Sequence, residues 1–291
     1  MSGKTALWLE SQHSKFLEKK LKNTIKISIA SGKGGVGKTS CALNFAKVLS
    51  NEGHKVLLVD CDFNLSNTAV KLGIPLNDNF YSLISSQITF DEAVYKDGNF
   101  HLLSACNGNN ELFNNGPEMG QLMLDIISSH EHEYDIIILD CPAGLNKDVC
   151  TISAYCDYRF IVVTPDKSSI TDSYSLIKVL NQNYSVGTNH LIFNKISDKT
   201  QYLRLAKTFL DTTDRYLNCS VKILGALPFF TKNLDRFDID LIKVADSKIH
   251  KHFAKIILSF AEKNIHATDA STFMIDSLMT TPKGQQEVQA Y

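Results

Sequence analysis

The sequence has no pair of cysteines spaced C-x-x-C, no apolar run approaching the roughly 18 residues of a membrane span, no linker rich in Pro, Gly or Ser, and no internal repeat. Its seven cysteines are scattered and odd in number, which argues against a disulfide framework and against a zinc or iron–sulfur knuckle, so reduced thiols are expected. The first thirty residues hold no apolar stretch ahead of a small-residue cleavage site. With no span and no leader, the expected location is the cytoplasm. Charge of one sign is also missing: 30 Lys plus Arg face 31 Asp plus Glu, for a formal net charge of −1. No global field is available to hold nucleic acid or an anionic membrane, and nucleic acid is not expected as a partner. Disorder is excluded as well, because 44% of the 291 residues are hydrophobic, enough to build a large packed core.

Short β-branched runs alternate with helical stretches. The runs are Thr24 to Ala30, Lys55 to Asp60, Phe100 to Ala105, Asp135 to Asp140, Arg159 to Thr164, His190 to Asn194 and Val221 to Pro228. Several are apolar on both alternating sets of positions, as strands are when helices cover both faces of a parallel sheet. Segments Lys38 to Glu52, Glu118 to His130, Ser168 to Asn183 and Lys199 to Tyr216 are long enough for crossover helices. The fold class is therefore α/β, a mostly parallel sheet with helices on both faces. Residues 24–264 read as one domain, flanked by an arm (1–23) holding the only Trp, Trp8, and by a polar tail (265–291).

After the first strand comes SGKGGVGKTS, Ser31 to Ser40, which satisfies G-x-x-x-x-G-K-[ST] through Gly32, Gly37, Lys38 and Thr39. Glycines let successive backbone N–H groups curl round a phosphate without Cβ clashes, and the helix opening near Lys38 adds its positive dipole end. The expected nucleotide contacts run from Gly32 through Lys33, Gly34, Gly35, Val36, Gly37, Lys38 and Thr39 to Ser40. Lys38 should reach the β- and γ-phosphates and Thr39 should ligate Mg²⁺. Two further strands end in Asp at their carboxyl tips, VDCDFNLSN (Val59 to Asn67) and ILDCPAGL (Ile138 to Leu145), where ligands of open α/β sheets bind. Asp140 reads as the carboxylate holding hydrated Mg²⁺, with Asp60 as a second partner in the metal's outer shell.

Lys33, a further lysine inside the loop, makes the segment resemble the deviant Walker A motif of the MinD/ParA ATPases. That resemblance implies a P-loop NTPase fold, ATP and Mg²⁺ as cofactors, and a face-to-face homodimer in which Lys33 crosses to the partner's nucleotide. It implies that Lys33, Lys38 and Asp62 are catalytic, Asp62 orienting or deprotonating the attacking water. Pro142, Ala143 and Gly144 would form a turn sensing the γ-phosphate through the Gly144 N–H. Asn194 would hydrogen-bond adenine, with Pro228 and Phe229 beside the base. Two departures from the family pattern stand out: Asn64 where relatives usually carry Gly, and Phe230 where they often carry an acid.

The stretch KSSITDSYSLIKVLNQNY, Lys167 to Tyr184, resembles the flagellar-number regulators of the FlhG/FleN (YlxH) type through the order of Thr171, Asp172, Ser173 and Lys178. That likeness implies control of flagellar number or placement, with an FlhF-like GTPase and flagellar switch-complex proteins or a flagellar transcription regulator as partners. In those regulators a DQAxxLR motif opens the chain. The matching stretch here, Ser11 to Leu17, keeps Gln12 and an apolar Phe16, the expected partner contacts, and lacks the Asp and Arg. The rival functions are a Min- or Par-type positioning ATPase acting on septum or DNA, an iron–sulfur carrier, and a nucleotide-scaffold protein without turnover.

Weaker signals have plain readings. Asp246 to Phe260 reads as a packed C-terminal helix, its apolar stripe running through Ile249, Phe253, Ile256 and Phe260. Ser271 to Met279 is the candidate lipid-seeking element, expected to give only a weak peripheral contact at the inner face of the cell membrane because no basic residue adjoins it. His130 and His132 read as a solvated loop before a strand in preference to a metal site. Cys61 and Cys141 read as buried small hydrophobes in preference to redox sensors.

Overall fold

The computed structural model describes residues 24–62, 68–75, 77–104, 119–230 and 248–265. Gln12, Phe16 and Trp8 of the arm, Asn64, and the 271–279 segment lie outside the described residues. In chain order the elements are β1 (Ile25–Ala30), α1 (Lys38–Asn51), β2 (Val56–Asp60), three short helices α2 (Thr68–Leu72), α3 (Asn79–Ile84) and α4 (Phe90–Ala93), β3 (Tyr95–Asp97), β4 (Phe100–Leu103), α5 (Met119–His130), β5 (Ile136–Asp140), α6 (Lys147–Tyr155), β6 (Tyr158–Val163), α7 (Lys167–Tyr184), β7 (Thr188–Ile196), α8 (Lys199–Tyr216), β8 (Ser220–Pro228) and α9 (Lys248–Asn264).

Eight strands pair in the order β3-β4-β2-β5-β1-β6-β7-β8. Every pairing is parallel except β3 with β4. All seven expected strands are present, and the helices cover both faces. The sequence reading missed β3, whose three residues are all exposed and carry no apolar alternation. Its turn was legible: Gly98-Asn99 joins Asp97 to Phe100, with Gly98 at φ 59°, the left-handed conformation that a two-residue hairpin requires. Helix α6 was also unforeseen, although Asn146 caps it by accepting from the Val149 N–H at 2.9 Å.

Strand β5 shows why the central strands read as continuous apolar runs. Ile136 and Ile138 face a core shared with α1 and α9, while Ile137 and Leu139 face one shared with α5, α6, α7 and α8. All four are fully buried, each burial worth roughly 1.5–3 kcal/mol relative to exposure. The C-terminal helix packs as expected: Phe253, Ile256, Ile257 and Phe260 are buried, with the Phe253 ring 5.9 Å from Phe45 and Phe260 4.8 Å from Phe160. Its apolar face is thus spent on the core and not on a lipid surface. Among the described residues, no helix is long and apolar enough to cross a membrane. His130 is not in a solvated loop, as expected from sequence, but closes α5. Its ring stacks on Phe90 at 3.9 Å and its Nδ1 lies 2.8 Å from Glu133 Oε1. Cys61 and Cys141 are buried, and burial raises the Cys61 thiol and pushes Cys141 up to about 12, so both stay protonated and inert.

Candidate functional site

The carboxyl ends of β1, β2, β5, β6, β7 and β8 converge on the segment Ser31–Gly37. The chain leaves β1 at Ala30, curls, and enters α1 at Lys38, with Gly37 in the left-handed region at φ 99°. A side chain at that position would also collide with Asn194 Nδ2, 2.4 Å from an added Cβ. Gly32 is needed for another reason. A Cβ there would sit 2.2 Å from the Asp172 carbonyl carbon, so the loop lies directly on the backbone of α7. The Lys38 side chain is buried and its Nζ donates to Ser31 Oγ at 3.0 Å, while Ser31 Oγ donates to the Lys33 carbonyl at 2.7 Å. A buried ammonium at the mouth of a helix N-terminus, beside a glycine curl, is an anion site by charge and by donor direction.

The metal candidates lie together on the opposite wall. Parallel pairing of β2 and β5 puts Asp60 level with Asp140, and both carboxylates are buried. Burial, reinforced by the Asp60 charge, pushes Asp140 up to about 7, against a hydrogen bond from Thr39 and the charges of Lys38 and Lys71. Asp140 Oδ1 has no hydrogen-bond partner among the described residues. Two buried carboxylates side by side, one of them with an orphaned oxygen and hydrogen-bonded by the Thr39 side chain, are a donor set that fits a hydrated Mg²⁺. Asp60 Oδ1 accepts from the Asp62 N–H at 3.0 Å and its Oδ2 from the Thr68 N–H at 3.3 Å, which holds half-buried Asp62 and the start of α2 beside the same carboxylate. Lys71, unremarked in the sequence reading, donates to Ser40 Oγ at 3.1 Å and ties α2 to the first turn of α1.

Three sequence expectations meet specific partners here. Lys33 Nζ lies 2.8 Å from Asp166 Oδ1 and 2.8 Å from Ser168 Oγ, so within this chain the extra lysine is held at the start of α7. The Gly144 N–H donates to the Ser31 carbonyl at 3.1 Å, and Ala143 lies beside Gly34. The Pro142–Gly144 turn therefore sits against the loop with the Gly144 N–H engaged. Asn194 is turned to the loop: its Nδ2 donates to the Val36 carbonyl at 2.7 Å. Phe229 is 56% exposed and lines, with Gly35, Val36, Asp166 and Lys195, a recess of about 360 Å³ on the loop's outer side. Pro228 pairs with Ile196 at the end of the β7–β8 ladder. Phe230 packs edge-on against His252 of α9 at 6.4 Å.

Two further residues at the site escaped the sequence reading. Asp166 N-caps α7 by accepting from the Ser169 N–H at 3.0 Å, a D-x-x-S start signal that was legible. Its pairing with Lys33, 133 positions away, was not. The Lys33 ammonium, with Thr164 next, holds the Asp166 carboxyl well below the usual carboxylate range. Lys195 is the other, and no spacing announces it.

Comparison with known proteins agrees with this geometry. The AAA domain family model matches residues 24–192. The antiactivator FleN of Pseudomonas aeruginosa is 26% identical over 204 residues, covering 70% of this chain and 73% of FleN. The septum site-determining protein MinD of a Synechocystis species is 30% identical over 207 residues, covering 69% of this chain and 75% of that protein. Among solved structures, MinD from Pyrococcus horikoshii complexed with Mg-ADP superposes with a TM-score of 0.67 at 24% identity, over 83% of this chain and 97% of that one. A family model that spans more than half the chain, and a MinD relative matched over three quarters of its own length, make this chain a member of the AAA domain family, in its MinD/ParA group of P-loop ATPases.

Proposed function

We propose that this chain binds ATP with Mg²⁺, dimerises face to face in that state, hydrolyses ATP slowly until a partner stimulates it, and regulates flagellar number or placement from the cytoplasm. The observation that carries the reading is the loop with two lysines in unlike settings. Lys38 is buried and points into the curl, whereas Lys33 is 42% exposed and held by the side chains of Asp166 and Ser168. One lysine serves the protomer's own phosphates, and the other is free to be drawn away by a second anion.

On this reading the N–H groups of Gly34 to Ser40 and the Lys38 ammonium hold the phosphates. Thr39, Asp60 and Asp140 hold Mg²⁺, which neutralises phosphate charge when bound. Asp62 orients the attacking water and accepts its proton. Lys33 leaves Asp166 for the partner's nucleotide, and the Gly144 N–H leaves Ser31 for the γ-phosphate. The flagellar role rests on the FleN relative and the Lys167–Tyr184 stretch; Gln12 and Phe16 would meet an FlhF-like GTPase, and the tail would touch the membrane weakly. MinD relatives favour a second reading, placement of the division septum. Light scattering of the purified chain with Mg-ATP against Mg-ADP tests the switch: a dimer in ATP alone supports it, and no change of mass sinks it. Cells lacking the chain separate the two roles, altered flagellar number supporting the first and misplaced septa the second.

A further inference from the structure

In a regular strand, successive side chains point to opposite faces, so Asn194 and Lys195 at the end of β7 ought not to reach the same neighbour. They do. Asn194 Nδ2 donates to the Val36 carbonyl at 2.7 Å and Lys195 Nζ donates to the Gly35 carbonyl at 2.8 Å. The β7–β8 register is broken between Phe193 and Ile196, and Lys195 is in the left-handed region at φ 60°. A bulge with one residue in that conformation turns two consecutive side chains to one side. The Asn194 carboxamide closes the turn by accepting from the Lys195 N–H at 2.8 Å, and the Phe229 N–H ties β8 to it through the Ile196 carbonyl at 2.9 Å.

A long side chain in that conformation is strained, and strain of this kind persists where surrounding contacts demand it. The demand here comes from the phosphate loop. Peptide units are rigid, so a carbonyl fixed outward leaves the N–H of the same peptide unit directed the opposite way. Holding the Gly35 and Val36 carbonyls on the outer side therefore aims the Val36 and Gly37 N–H groups into the curl. We propose that Lys195 is a positioning residue for phosphate binding: its ammonium, working with the Asn194 amide, holds the loop in its anion-ready shape before any nucleotide arrives. This rests on the nucleotide reading above and assigns Lys195 no contact with the nucleotide itself.

The test uses the full chain with two variants, Lys195→Met and Lys195→Gly, and reads two quantities. Affinity is measured for Mg-ATP, Mg-GTP and inorganic tripolyphosphate with Mg²⁺, by competition against a fluorescent ATP analogue; stability is measured by urea denaturation without nucleotide. Positioning acts on phosphates, so both variants should weaken all three ligands by a similar factor of about 3 to 10. Lys195→Gly should also stabilise the nucleotide-free chain, because glycine relieves the strain. Higher stability with lower affinity in one variant is a split that a merely structural lysine does not produce. A loss confined to ATP and GTP would move Lys195 to the base and overturn the proposal, as would unchanged affinities in both variants. Wild-type protein that binds none of the three ligands would remove the nucleotide reading instead, with Lys38→Ala as the control for specific binding.

Discussion

Replacing Asp166 by Asn tests whether the contact between Lys33 and α7 restrains dimerisation. Asp166 Oδ1 receives Lys33 Nζ, the Ser168 hydroxyl and the Ser169 N–H, and Oδ2 receives the Thr164 hydroxyl. Asn caps a helix about as well as Asp, so the substitution removes the charge and leaves α7 started. The Lys33 and Asp166 side chains are 42% and 45% exposed, and pairs this open contribute about 0.2–1 kcal/mol. A two-fold symmetric dimer would release two such contacts, or about 0.4–2 kcal/mol, equivalent to a dimer roughly 2- to 30-fold tighter. Sedimentation equilibrium in saturating Mg-ATP measures this, and raising salt should shrink the gap between variant and wild type. A dimer equal to or weaker than wild type would show that Asp166 does not restrain Lys33.

Four other outcomes are expected. Asp62→Ala should trap the ATP dimer and lower turnover by about 100-fold or more; turnover within about twofold of wild type in a phosphate-release assay removes Asp62 from the chemical step. Gly32→Ala should lower stability by about 1–3 kcal/mol and abolish nucleotide binding, because its Cβ meets the Asp172 backbone at 2.2 Å; normal binding by calorimetry contradicts the packing. His190, ringed by Tyr158, Phe160 and Phe260 and near Lys222 and Arg159, is driven down to about 4 from 6.5, chiefly by burial. The unfolded chain takes up the proton first, so stability present above pH 6.5 should fall by about 3 kcal/mol as pH drops to about 4, and in urea titrations His190→Leu should flatten that part of the curve. Deleting residues before Lys22 should leave ATP binding and dimerisation intact while abolishing stimulation of an FlhF-like GTPase; full stimulation by the truncated chain discounts Gln12 and Phe16.

Local chemistry announced much of this site. Gly32 to Ser40 is legible because a phosphate curl needs glycines, a lysine and a hydroxyl at fixed offsets between a strand and a helix. Asp60 and Asp140 are legible because each ends an apolar run, and β-branched alternation with helices sets the sheet class through backbone sterics and burial. What no local pattern encodes is which distant groups meet. Lys33 finds Asp166 across 133 positions, Gly144 finds the Ser31 carbonyl, and Gly32 lies on Asp172 because β6 pairs beside β1 and launches α7 past the loop. The exposed edge strand β3 needs β4 as its template. Lys195 is the clearest case: in sequence it is one more lysine at the end of a strand, and only a broken register beside β8 turns it back onto the loop. Periodicity and motif spacing act over one turn or one strand, whereas these contacts are set by strand order and by the closeness of packing in a folded interior.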